Sequence, residues 1–187
     1  NNRPTQALDF YVLARAFADP TAKFEDVVDD YCSAYGKAAP EVKAYYASVR
    51  TTAEAVLAEA LKSRQGSPDH SVFFEKGLPQ FMHYGLDEGK MTADWNILTK
   101  SLADHRAAGD LSGIETTRLE NLALQAEHAI VTFRFLSAME LPLDELKARA
   151  QALQDFRIRH RRLAYHSVFL LHNYLPSFKG FSVVHSN

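Results

Sequence analysis

PEVKAYYASVRTTAEAVLAEALKSR, residues 40–64, decides the fold. Val42, Tyr46, Val49, Ala53, Val56 and Ala60 recur there at spacings of 4, 3, 4, 3 and 4, the stepping that holds apolar side chains on one stripe of a helix with 3.6 residues per turn. A stripe of this kind packs along other helices at a shallow angle, as in bundles. Pro40 suits the first turn, where its missing N–H removes no intrahelical bond. The same stepping returns downstream. Leu119, Leu122, Ala126, Ala129, Phe133 and Leu136 line a helix expected from about Ser112 to Glu140. Trp95, Leu98 and Leu102 line one expected from an N-cap at Thr92 to about Ala108, with Gly109 as its stop. A last helix is expected from Pro142 to about Leu175, with Leu146, Ala150, Leu153, His160, Leu163, Ser167, Leu170 and Tyr174 inward.

Two shorter helices precede this set. The first starts near Pro4 and is ended by Asp19 and Pro20. It carries two apolar stripes, Leu8, Tyr11 and Val12 on one side and Phe10, Leu13, Ala14 and Phe17 on another. A helix apolar nearly all round should be covered on most sides. The second, from about Phe24 to Tyr35, should bury Phe24, Val27, Val28, Tyr31 and Tyr35, and Gly36 suits the left-handed position after its end. Residues 66–91 break the pattern with Gly66, Pro68, Gly77, Pro79, Gly85 and Gly89, yet keep Phe73, Phe74, Phe81, Met82 and Tyr84 among them. Disordered linkers are depleted in aromatics, so this stretch reads as a packed loop with one helical turn near Leu78 to His83. The tail, 177–187, reads as a strand or packed arm. The expectation is a single all-α domain over 1–187: two helices in 1–36, and an up-and-down-like long-helix bundle in 37–176, about five to seven helices in all.

Composition agrees. The chain holds 26 alanines and 21 leucines but only 8 glycines and 7 prolines, which favours helix over strand. The formal charge of −2 excludes a globally basic nucleic-acid binder. A single cysteine, Cys32, closes no internal disulfide and builds no thiolate metal site. No apolar run approaches the roughly 18 uncharged residues of a membrane span, and the first residues show no signal-peptide pattern, so export would be encoded ahead of Asn1.

The residues that could carry chemistry each have a plainer use. Eight histidines in a helical chain invite a metal, but the Glu-x-x-His pairs of carboxylate-bridged centres are missing, and His160, His166 and His172, six apart, do not share a helix face. No cofactor is expected. Arg157, Arg159, Arg161 and Arg162 form the only strong charge run, read as a solvated or ion-paired partner surface rather than a nucleic-acid element, which would need aromatic stacking partners. No Gly-x-Ser-x-Gly elbow or phosphate-cradling glycine loop is present. Asp29 with Asp30 and Asp87 with Glu88 are sequence neighbours that diverge rather than converge. Arg118 and Glu127 read as ion-pairing residues that lock the bundle.

One segment resembles a known family. Leu8 to Pro20 (LDFYVLARAFADP), then Phe24 to Cys32 (FEDVVDDYC) and Tyr35 to Pro40 (YGKAAP) are similar to the helical region that follows the (β/α)8 barrel in a bacterial family of uncharacterised, α-glucuronidase-like glycoside hydrolases. There a helix leaves the last barrel strand, meets an Asp-Pro stop, gives way to a second helix ending in Tyr-Gly, and enters a long helix through Ala-Ala-Pro. Arg118-Leu119-Glu120 is a weaker echo. Ala18 stands where the pattern commonly has Trp. The resemblance implies an accessory helical domain of an exported carbohydrate-active protein, non-catalytic by itself, buttressing a preceding barrel and contributing a dimer surface or a cleft edge. Catalytic groups of such barrels lie on barrel loops, so none is assigned here. The docking face would include Phe10, Leu13 and Phe17, or the opposite set Leu8, Tyr11 and Val12; the ligand-facing loop would offer Phe73, Phe74, His83 and Tyr84. The alternative is a freestanding helical protein-interaction module.

Overall fold

The computed structural model describes residues 7–63, 82, 85–138 and 141–160. They form six α-helices and no strand: α1 (Ala7–Ala18), α2 (Phe24–Ser33), α3 (Ala39–Ser63), α4 (Glu88–Ala108), α5 (Gly113–Ser137) and α6 (Leu143–Arg159), with a 3-10 turn, Gly36–Ala38, between α2 and α3. Each helix packs chiefly on its neighbours in sequence. The all-α bundle read from periodicity is the architecture of the molecule.

Local chemistry explains where the helices start and stop. Asp19 ends α1 by accepting hydrogen bonds from the Thr21 amide and hydroxyl, which turns the chain at Pro20. Helix α2 ends at Ser33, and Gly36 takes φ +61°, the left-handed conformation that glycine adopts without penalty. Helix α5 opens with a full capping box: the Ser112 hydroxyl accepts from the Glu115 amide, and the Glu115 carboxylate accepts from the Ser112 amide. Gly109 ends α4 at φ +62°, as the sequence leads one to expect.

Helix α4 departs from expectation at its start. Thr92 is not its cap; Asp87 is, its carboxylate accepting from the Lys90 amide 2.9 Å away. Asp is as good an N-cap as Thr, and Gly89 is tolerated in the first turn, so the glycines that suggested a loop through residue 91 include one inside a helix. Helix α6 ends at Arg159, with His160 as its C-cap; the continuation expected to Leu175, most of the aromatic loop and the 177–187 tail lie outside the described residues.

Two apolar clusters hold the helices together. The larger joins Val28 and Cys32 of α2, Tyr35 just ahead of the turn and Ala38 within it, Val42 of α3, Leu98 of α4 and Leu119, Leu122, Ala123 and Ala126 of α5. The second joins Phe135 and Leu136 of α5 to Leu146, Ala150 and Leu153 of α6, with Met82 against it. Of the inner face read for α5 all but the half-buried Ala129 is buried; of that read for α6, Leu146, Ala150 and Leu153 are buried, His160 is half-buried, and Leu163, Ser167, Leu170 and Tyr174 lie outside the described residues. Phe24, expected inside, is 43% exposed; it starts α2 at the edge of the bundle, where the Arg50 guanidinium lies over its ring.

Candidate functional site

Helix α1 is attached through one of its two apolar stripes. Leu8 packs against the larger core, and Tyr11 and Val12 are half-buried. The Tyr11 ring lies against Tyr31, centroids 5.5 Å apart, and its hydroxyl donates to Asp30, which also faces Arg15 at 4.0 Å. The opposite stripe is bare. Phe10 is 54% exposed, Leu13 53% and Phe17 87%. Their spacing of 3 and 4 puts them on one face. Of the two sets left open by the sequence, the structure turns Leu8, Tyr11 and Val12 inward and Phe10, Leu13 and Phe17 outward.

Isolated exposed apolar residues are ordinary, but three large ones aligned on a helix are a feature of contact surfaces. Burying a Phe or Leu side chain is worth about 1.5 to 3 kcal/mol. Covering this stripe would therefore contribute a few kcal/mol to an association, enough to orient a domain that is also tethered.

The arginine run divides. Arg157 is 9% exposed and donates from Nε to His128 Nε2 of α5 at 3.1 Å, so it is an interior residue and not part of a partner surface. It falls one turn beyond Leu153 on the buried stripe of α6, a consequence of helical spacing that the charge run concealed. Arg159 is exposed; Arg161 and Arg162 lie outside the described residues. Phe73, Phe74, His83 and Tyr84 also lie outside them.

The other polar groups have structural uses. Burial pushes the Cys32 thiol up to about 11, the reverse of what a nucleophile needs. Asp29 pairs with Lys43, Asp87 caps α4, and Glu88 accepts two hydrogen bonds from Arg134, 2.7 and 2.8 Å long. Arg118, expected to pair with a carboxylate, instead donates to the Ala34 carbonyl at 2.6 Å, satisfying an acceptor freed by the end of α2. Among the described residues no three His, Cys, Asp or Glu side chains come together in a way that could hold a metal ion, and no helix is long and apolar enough to cross a membrane.

Sequence reasoning missed three buried polar features: the Arg157–His128 contact, and Asp94 and Ser101, 8% and 3% exposed on α4. The second was legible, since Asp94 stands four residues before Leu98 on the inner stripe. No family model, curated protein or solved structure matches this chain.

Proposed function

We propose that the chain is a helical accessory domain that docks through the outer face of α1 onto a neighbouring domain. The observation that carries this reading is the bare stripe Phe10, Leu13 and Phe17 on a helix whose other stripe already anchors it. The likeness of the Leu8–Pro40 segment to the region after the barrel of α-glucuronidase-like proteins supplies the neighbour: a (β/α)8 barrel of the same exported, carbohydrate-active parent. In this arrangement the bundle is a buttress. It supplies no catalytic group; it fixes the barrel's flank and offers surface for oligomerisation or for the edge of a sugar cleft.

A photo-crosslinking phenylalanine analogue placed at position 17 in the full gene product tests this directly. Cross-linked peptides should come from the flank of a (β/α)8 barrel in the same polypeptide. Cross-links confined to this bundle, or to an unrelated polypeptide, would remove the buttress reading, the latter in favour of a freestanding interaction module. The carbohydrate assignment is tested separately by titrating the full gene product with uronic-acid oligosaccharides in a calorimeter; heat that saturates at millimolar sugar is expected.

A further inference from the structure

The inner stripe of α4 runs Met91, Asp94, Leu98 and Ser101, and its last three members are almost fully buried. A carboxylate on such a stripe is costly unless something pairs with it. The only partner of Asp94 among the described residues is the Ser48 hydroxyl, whose hydrogen bond favours the charged form; burial acts more strongly the other way and raises the Asp94 pKa, and no lysine, arginine or histidine there offsets that burial. Asp94 opens onto a hollow of about 210 Å³ between α3, α4 and α5. Opposite it stand Val49, Ala53 and Val56 of α3, the stripe that decided the fold. Of these three residues Val56 is buried, whereas Val49, 37% exposed, and Ala53, also exposed, lie at the open side of the hollow and are not covered by a packed helix as the seam predicts. Ala126 and Ala129 of α5, with small side chains, leave the space open.

The shape and chemistry of this space select its occupant. Its apolar walls exclude a strongly hydrated ion or a polyol. A cavity of about 150 Å³ accommodates benzene, so this one has room for a ring bearing one short arm. The single buried negative charge calls for a positive head, and Tyr45, another wall residue, offers an aromatic side chain of the kind that favours cations.

We propose that the hollow between α3, α4 and α5 is a binding site for a small organic ammonium ion with one apolar ring or branched alkyl body, its ammonium on Asp94 and its body against Val49, Ala53, Val56 and Met91. The site is independent of the α1 docking face.

Benzylammonium is the probe, with benzyl alcohol and benzoate as matched neutral and anionic comparisons, at pH 7. Amide chemical shifts of the isotope-labelled chain are followed through the titration. Benzylammonium should move signals of residues 49–56 and 91–94 in a saturable way at millimolar concentration, and benzoate should not. Asp94→Asn, whose fold is checked by circular dichroism, should weaken benzylammonium by about ten- to a hundredfold, the loss of one charge-assisted hydrogen bond, and leave benzyl alcohol unchanged. Ala129→Phe, which fills the hollow from α5 and keeps Asp94, should abolish binding of both. Equal affinity for benzylammonium and benzyl alcohol, unchanged benzylammonium affinity in Asp94→Asn, or no saturable shift with any of the three would overturn the proposal.

Discussion

Arg157 of α6 donates from its Nε to the Nε2 of His128 on α5, 3.1 Å away, while the His128 ring lies 5.7 Å from that of Phe156. The contact requires a neutral histidine, since only an unprotonated Nε2 can accept. Burial first, and the Arg157 charge second, hold His128 down to about 4 from its ordinary 6.5. A histidine depressed in the folded state contributes stability above the unfolded value and loses it as pH falls toward the folded one. The bundle should therefore weaken between pH 6.5 and 4, by on the order of 2 to 3 kcal/mol. Urea denaturation at a series of pH values measures this. His128→Gln keeps a neutral acceptor that does not titrate and should flatten the acid limb; an unchanged limb would show that other groups cause it.

The opposite pH dependence is built in at the far end of α4. His105 Nδ1 lies 2.8 Å from Asp110, and its Nε2 faces Glu41 at 3.8 Å. The hydrogen bond to Asp110, before any other cause, raises His105, and the same bond lowers Asp110. A raised histidine stabilises fully below 6.5 and ceases to as pH climbs through its folded value; the lowered carboxylate stabilises above 3.8 and ceases to as pH drops through its folded value. The pair works best between these limits. In an NMR titration His105 should show a midpoint above 6.5 that moves down in Asp110→Asn. That variant should lose more thermal stability at pH 6 than at pH 9, and equal losses at the two would count against the pairing.

Gly36 joins two devices that lie far apart in sequence. Its φ of +61° suits glycine, and a methyl group on its Cα would run into the Glu115 carboxylate, which is closing the capping box of α5. Gly36→Ala should cost about 2 kcal/mol, from backbone strain and from displacement of that carboxylate. Adding Glu115→Ala should relieve the clash but not the strain. Its double-mutant cycle should thus show a favourable coupling in chemical denaturation, and strict additivity would argue that the two residues do not meet.

How much of this was legible in the chain depends on whether the signal was periodic. The seams of α5 and α6 were, because Leu119, Leu122, Ala126 and Phe133, or Leu146, Ala150 and Leu153, repeat the helical step and are buried where that step predicts. The seam of α3 was read correctly as helical but not as the wall of a hollow, since nothing in Val49, Ala53 and Val56 reveals how small the residues facing them are. The start of α4 was misplaced because Gly89 and Gly85 read as loop, while the cap that begins the helix, Asp87, belongs to an acidic pair and looked like surface charge. Arg157 was grouped with its charged neighbours by sequence when its helical position groups it with Leu153. Nor can two apolar stripes on α1 be ranked from sequence. Tyr11 reaches Asp30, and that polar contact accompanies the stripe turned inward.

Docking of the bundle on a neighbouring domain would rest on that asymmetry in α1. Phe17 is 87% exposed, so in the isolated chain Phe17→Ser removes almost no buried apolar area and should change stability by no more than about 0.5 kcal/mol. Tyr11→Phe keeps the ring against Tyr31 but deletes the hydroxyl bonded to Asp30, and in the isolated chain should lower the melting temperature more than Phe17→Ser does. In the full gene product, where the proposed barrel would cover the stripe, the ranking should reverse: Phe17→Ser should lose several degrees in melting temperature and open the Leu8–Pro20 segment to proteolysis, while Tyr11→Phe has the lesser effect. Should Phe17→Ser melt as the wild type does in both settings, the outer stripe of α1 covers nothing and is covered by nothing. The anchoring contact with Asp30 would then be the whole role of this helix.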